Sequence, residues 1–115
     1  IKLAVITNKR QHPSLAILNQ LGILPHFSLI LAPDTFREMP HEKFQLINYA
    51  RTVLSLTASQ CIYIGDSIGD YQACQKASVD FYYAQWGYRS VEIESLQHIP
   101  NIHQPSDLLT LLGLS

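Results

Sequence analysis

Charged residues are sparse in this sequence, and neither sign dominates. Only 15% of the 115 residues are Asp, Glu, Lys or Arg, and the formal net charge is −1. Without a basic excess the chain has no long-range positive field to attract a nucleic acid or an anionic membrane. We therefore expect neither of them as a partner, and an anionic ligand must be bound by a local group of residues.

Cysteines and long apolar runs are scarce as well. Cys61 and Cys74 are the only cysteines, and their spacing does not match a metal site, so we expect free buried thiols rather than a disulfide or a reactive thiol. No stretch of about 18 apolar residues is present, which argues against a membrane span. Because a signal peptide is also missing, we expect a cytoplasmic location.

Short apolar runs alternate with longer amphipathic segments. The sequence begins inside such a run, residues 1–6, so we expect it to be the downstream part of a longer protein. Residues 3–6 are apolar throughout, which predicts a strand buried on both faces. Further strands are predicted at 27–31, 61–64 and 79–84, with a weaker apolar stretch at 99–102, and helices at 42–56 and 68–77, between Pro13 and Gly22, and after Ser106. This alternation predicts an α/β fold with a parallel sheet covered on both faces.

Polar residues follow three of the predicted strands. In parallel sheets with helices on both faces, ligands bind beyond the carboxyl ends of the strands, so these positions are the candidate site. In chain order they are Thr7 and Asn8, then Arg37 and Lys43, then Asp66 and Asp70.

The first two groups suit an anion, but each has a simpler interpretation. A threonine offers a hydroxyl and a backbone N–H to a phosphate group, whereas Thr7 and Asn8 are also common residues in turns. Lys43 lies near a predicted helix start, where the helix dipole disfavours a cation. That position favours a functional use, although a solvated surface role stays open for Lys43 and for Arg37.

The third group follows an apolar run that ends at Gly65. Glycine permits an unusual backbone conformation or the close approach of a ligand. The carboxylates of Asp66 and Asp70, four residues apart, repel each other unless a cation lies near them, and oxygen ligands at a strand end suit Mg²⁺. Alternatively, Asp66 caps the next helix and Asp70 complements its dipole. The spacing alone does not decide between these interpretations.

Taken in this order, the three groups resemble the haloacid dehalogenase superfamily of phosphotransferases, most closely its phosphoglycolate phosphatase-like branch. VITNK at 5–9 is similar to the second motif of that family, and IYIGDSIGD at 62–70 is similar to its fourth, G-D-x-x-x-D. The segments at 71–77, 84–88 and 105–109 are similar to those that follow in the family. The resemblance therefore extends over nearly the whole chain.

The resemblance implies a three-layer α/β/α, Rossmann-like core with a mainly parallel sheet. It also implies a Mg²⁺-dependent phosphatase that transfers the phosphoryl group of a small phosphorylated metabolite to an aspartate and then to water. The family assigns these roles by position: Thr7 and Asn8 at the phosphoryl group, Asp66 on Mg²⁺ with Asp70 in support directly or through water, and Lys43, or alternatively Arg37, on the phosphoryl charge.

One family motif is missing. D-x-D, which supplies the nucleophile and a general acid/base in the family, does not occur in these 115 residues. We therefore expect the chain to be the C-terminal part of a single core domain, without the nucleophile strand and the cap domain. It would need its missing N-terminal half or self-association, because the neighbours of an absent central strand leave main-chain groups unpaired. A non-catalytic relative used for binding or assembly, and an unrelated doubly wound domain, are the alternatives.

Overall fold

Strands and helices alternate along the chain, as the sequence predicts. The computed structural model describes residues 2–7, 11–22, 24–35, 42–85, 90–96, 98–104 and 106–111. The strands are β1 Ala4–Ile6, β2 Leu29–Leu31, β3 Ile62–Gly65, β4 Asp80–Ala84 and β5 Asn101–Ile102. The helices are α1 Gln11–Gln20, α2 Lys43–Val53, α3 Ile68–Ala77, α4 Val91–Glu94 and α5 Asp107–Leu111. The predicted α/β class is confirmed.

The chain divides into two compact units, Ile1–Thr57 and Ala58–Ser115. In the first unit β1 and β2 form a parallel pair, with Val5 opposite Ile30. In the second unit the strand order is β3-β4-β5, again parallel, with Gly65 opposite Tyr83. The predicted parallel pairing is therefore present in both units, while the assignment to one core domain stays a prediction.

The core of the first unit lies between α2 and the β1–β2 pair. Leu46 and Ala50 are buried on one face of the helix, and they contact Leu31 of β2. The helix begins with a capping box, in which the main-chain N–H of Glu42 donates to the side chain of Gln45 at 2.8 Å. This reciprocal cap satisfies donors that the first turn of a helix otherwise leaves unpaired.

Strand β1 is less buried than its apolar sequence predicts. Ala4 is exposed, and Val5 and Ile6 are half-buried. Within the described residues β1 has a strand neighbour, β2, on one edge only, so solvent reaches the strand. Leu21 is 65% exposed because it lies beyond the end of α1, next to Gly22 with its φ of +73°.

Helix α3 has the predicted bounds and contacts β3 and β4 through small side chains. Ala73, Cys74 and Ala77 are buried, which lets the helix axis approach the sheet closely. Cys61 and Cys74 are both free thiols, as predicted, but only Cys74 is buried, whereas Cys61 is half-buried. In the described part of the chain, no helix combines the length and the apolar character needed to cross a membrane.

Candidate functional site

The predicted acidic pair lies on the turn that joins β3 to α3. The strand ends at Gly65, and the helix starts at Ile68. Ser67 is the N-cap, since its hydroxyl accepts the main-chain N–H of Asp70 at 3.1 Å. The alternative in which Asp66 caps the helix is therefore wrong by one residue. A serine cap of this kind contributes about 1 kcal/mol to helix stability.

Asp70 lies in the first turn of α3 and is buried, with only 6% of its surface exposed. One carboxylate oxygen, Oδ2, accepts the main-chain N–H of Asp66 at 3.3 Å. The other, Oδ1, accepts the hydroxyl of Tyr63 at 3.4 Å. A carboxylate at this position is also favoured by the helix dipole, as the sequence predicts. Asp70 therefore links strand, turn and helix.

Gly65 is required by the side chain of Asp70. A Cβ placed on Gly65 would lie 2.6 Å from Oδ2 and 2.9 Å from Cβ of Asp70, well inside van der Waals contact. The close approach that a glycine permits is thus used here by a side chain of the same chain. The sequence predicted an unusual backbone conformation or the close approach of a ligand, whereas the group that approaches Gly65 is the side chain of Asp70.

Tyr63, which the sequence did not single out, completes this group. Burial, and then the negative charge of Asp70, raise the pKa of the Tyr63 hydroxyl, so that the hydroxyl stays protonated and can donate. The ring of Tyr63 stacks on Phe81 of the neighbouring strand, with centroids 6.2 Å apart. The signal in the sequence is weak, because a tyrosine in an apolar strand is more often only part of the core.

Two other predicted residues lie in the first unit. Thr7 directly follows β1, and its main-chain N–H donates to Leu31 O at 3.0 Å. That N–H therefore belongs to the strand pairing. Lys43 is the first residue of α2 and is half-buried. Asn8 and Arg37 lie outside the described residues.

Asp66 and Asp70 are brought together by direct hydrogen bonding, whereas Thr7 and Lys43 belong to the other unit. Asp66 is half-buried at the carboxyl end of β3, where ligands of parallel sheets bind. The described residues contain no group of three or more His, Cys, Asp or Glu side chains that could surround a metal. The two carboxylates of Asp66 and Asp70 fit Mg²⁺, which takes one or two protein carboxylates and completes its coordination shell with water and substrate phosphate.

Comparison with known proteins identifies the family of the chain. Residues 1–84 match the family model described as haloacid dehalogenase-like hydrolase. A phosphoglycolate phosphatase of Rhodobacter capsulatus is 33% identical over 92% of this chain and 47% of its own length. A phosphoglycolate phosphatase of Aquifex aeolicus (strain VF5) is 32% identical over 96% of this chain and 51% of its own length. The chain thus spans about half the length of these relatives.

A solved structure supports the same fold. A predicted phosphoglycolate phosphatase from Haemophilus somnus 129PT superimposes with a TM-score of 0.80 and is 26% identical. The superposition covers 96% of this chain and 49% of that protein. The parallel α/β arrangement described above is therefore that of the haloacid dehalogenase fold, and an unrelated doubly wound domain is excluded.

Proposed function

The chain belongs to the haloacid dehalogenase-like hydrolase family, and we propose that the protein containing it is a Mg²⁺-dependent phosphatase of small phosphorylated metabolites. The observation that carries this proposal is the Asp66–Asp70 pair, joined by a 3.3 Å hydrogen bond at the carboxyl end of a parallel strand. The relatives named phosphoglycolate phosphatase support a phosphate monoester as the substrate class.

Each predicted residue has a role in this proposal. Asp66 ligates Mg²⁺, and Asp70 supports Asp66 from the first turn of α3. Bound Mg²⁺ would supply positive charge to the phosphoryl oxygens, on which negative charge is concentrated during transfer. The Thr7 hydroxyl donates to a phosphoryl oxygen, with Asn8 beside it. The cation of Lys43, or alternatively of Arg37, stabilises the charge of the transition state.

The attacking group is proposed to lie upstream of this chain. An aspartate there would take the phosphoryl group and release it to water, which divides one difficult displacement into two easier steps. Because no D-x-D occurs in the 115 residues, a non-catalytic relative used for binding or assembly is the second candidate. The presence or absence of a D-x-D motif in the sequence upstream of Ile1, a cap domain's length away in the family, distinguishes the two candidates.

The proposal is tested with the full-length protein. Phosphate release is measured from p-nitrophenyl phosphate and from a panel of small phosphate monoesters that includes 2-phosphoglycolate, with excess Mg²⁺ or with EDTA. We expect turnover with Mg²⁺, its loss in EDTA and its recovery when Mg²⁺ is returned. The absence of release from every ester under all conditions would favour the non-catalytic candidate.

A further inference from the structure

We propose that Tyr63 is a positioning residue of the metal site, which holds Asp70 in the orientation that fixes Asp66. This inference rests on the proposed function, because it takes Asp66 as a Mg²⁺ ligand. It adds to that function a residue from inside the strand, three positions before the acid that would touch the metal.

The two oxygens of the Asp70 carboxylate accept hydrogen bonds from different parts of the chain. Tyr63 donates its hydroxyl to Asp70 Oδ1 at 3.4 Å, and Asp66 donates its main-chain N–H to Oδ2 at 3.3 Å. Rotation of this carboxylate would break both hydrogen bonds together. The hydroxyl of Tyr63 therefore acts, through Asp70, on the main chain of Asp66.

The side chain of Asp70 is confined from another direction as well. It lies so close to Gly65 that a Cβ there would be 2.6 Å from Oδ2. The carboxylate thus has contacts with Gly65, with the turn and with the hydroxyl of Tyr63. Without the hydroxyl, one of these restraints on a buried charge is lost, and the carboxylate gains freedom to turn away from the Asp66 N–H.

Tyr63 is itself held in place by aromatic neighbours. It lies opposite Phe81 in the parallel register of β3 and β4, and the two rings stack with centroids 6.2 Å apart. Phe81 is buried, with 6% of its surface exposed, and the ring of Tyr71 lies against it edge-on with centroids 5.7 Å apart. These contacts fix the orientation of the Tyr63 ring, and the hydroxyl is thereby held within hydrogen-bonding distance of Asp70.

The test measures Mg²⁺ affinity of the full-length protein by isothermal titration calorimetry without substrate. Tyr63→Phe removes only the hydroxyl, and we expect the dissociation constant for Mg²⁺ to rise by about three- to tenfold, as for the loss of one hydrogen bond to a positioned group. Tyr82→Phe is the matched control, because Tyr82 lies on the adjacent strand. The Tyr82 hydroxyl makes no hydrogen bond to the described residues. We therefore expect the Tyr82→Phe variant to bind Mg²⁺ with unchanged affinity.

A double-mutant cycle separates positioning from general packing. If Tyr63 acts through Asp70, Tyr63→Phe adds little further loss of Mg²⁺ affinity once Asp70→Asn has been introduced. Fully additive losses would overturn the inference, and so would a Tyr63→Phe variant that binds Mg²⁺ as tightly as the Tyr82→Phe control. Thermal unfolding in EDTA shows whether each variant is folded, and the isosteric changes Tyr63→Phe and Asp70→Asn are chosen to preserve the fold.

Asp66→Asn distinguishes failure of this inference from failure of the proposed function. If Asp66→Asn abolishes Mg²⁺ binding while Tyr63→Phe has no effect, only the role of Tyr63 is wrong. If Asp66→Asn binds Mg²⁺ normally, the metal assignment is wrong, and the role of Tyr63 falls with it.

Discussion

The main-chain N–H of Asp66 donates to Oδ2 of Asp70 at 3.3 Å, and this hydrogen bond closes the turn between β3 and α3. A second hydrogen bond runs in the opposite direction, from the Asp70 N–H to the Ser67 hydroxyl at 3.1 Å. Together they resemble a capping box, in which the turn and the first helical residues satisfy each other's donors. The two acids are therefore not equivalent. Asp70 is buried, and its carboxylate accepts hydrogen bonds from other residues of the chain, whereas Asp66 is half-buried at the strand end.

Gly65→Ala is expected to destabilise the protein by about 1–3 kcal/mol, as overpacking of a filled site does. The added Cβ would overlap Oδ2, Cβ and Cγ of Asp70 at 2.6, 2.9 and 3.0 Å, so the start of α3 must shift. Chemical denaturation measures the free energy of unfolding.

Gly69→Ala is the control, because a Cβ added at Gly69 would make only an ordinary contact, at 3.7 Å to the Ser67 hydroxyl. Since alanine favours a helix, we expect the control to be neutral or stabilising by up to about 1 kcal/mol. Equal stability of the two variants would contradict this account of Gly65.

Thr7→Ala is expected to lower kcat/KM by about 10- to 100-fold, because a hydrogen bond to a charged group contributes roughly 1.5–3 kcal/mol. The main-chain N–H of Thr7 donates to Leu31 O, so only the hydroxyl is assigned to the phosphoryl group. Thr7→Ser keeps that hydroxyl and is the matched control. Steady-state kinetics on one phosphate monoester compares the variants. If Thr7→Ser and Thr7→Ala lose activity equally, the Thr7 hydroxyl is not the group that contacts the phosphoryl group.

Lys43→Gln is expected to reduce kcat by roughly 100-fold or more, the usual effect of removing a group that stabilises transition-state charge. Lys76→Gln, on an exposed lysine in the last turn of α3, is the control for loss of a positive charge elsewhere. Arg37→Gln tests the alternative assignment in the same assay. A large loss in Arg37→Gln together with normal turnover in Lys43→Gln would transfer the role to Arg37.

A polypeptide made of residues 1–115 alone is expected to self-associate or aggregate and to lack phosphatase activity. Within the described residues, β1 has a strand partner only in β2, and β3 only in β4. An unpaired strand edge invites association with other chains. Size-exclusion chromatography with light scattering measures the oligomeric state, and co-production with the upstream half is expected to restore a discrete species. Monomeric, phosphatase-active material from these residues alone would refute this expectation.

The sequence predicts the elements around the acidic turn well. The bounds of α3 follow from the apolar run, the glycine and the small residues Ala73 and Ala77, all of which are local signals. Helix α4 was not predicted, because its four residues, Val91–Glu94, are too few to show a helical period. Its start at Ser90, whose hydroxyl accepts the Ile93 N–H, was a usable capping signal.

The contacts within the site were harder to predict than its location. The pairing of Tyr63 with Asp70 joins a strand residue to a helix residue, and its existence depends on the path of the turn between them. The overlap at Gly65 depends on the same path, so spacing alone could not reveal it. The choice between Asp66 and Ser67 as the cap also depends on main-chain angles, since both residue types are good N-caps.

The most direct test of the central proposal is the Mg²⁺-dependent phosphatase activity of Asp66→Asn in the full-length protein. Asp80→Asn is the matched control, because Asp80 is an exposed aspartate at the start of β4, at the opposite end of the strands from the site. We predict that Asp66→Asn loses turnover at every Mg²⁺ concentration while it keeps a normal unfolding transition, and that Asp80→Asn retains activity. Turnover by Asp66→Asn with an unchanged dependence on Mg²⁺ would contradict the proposal.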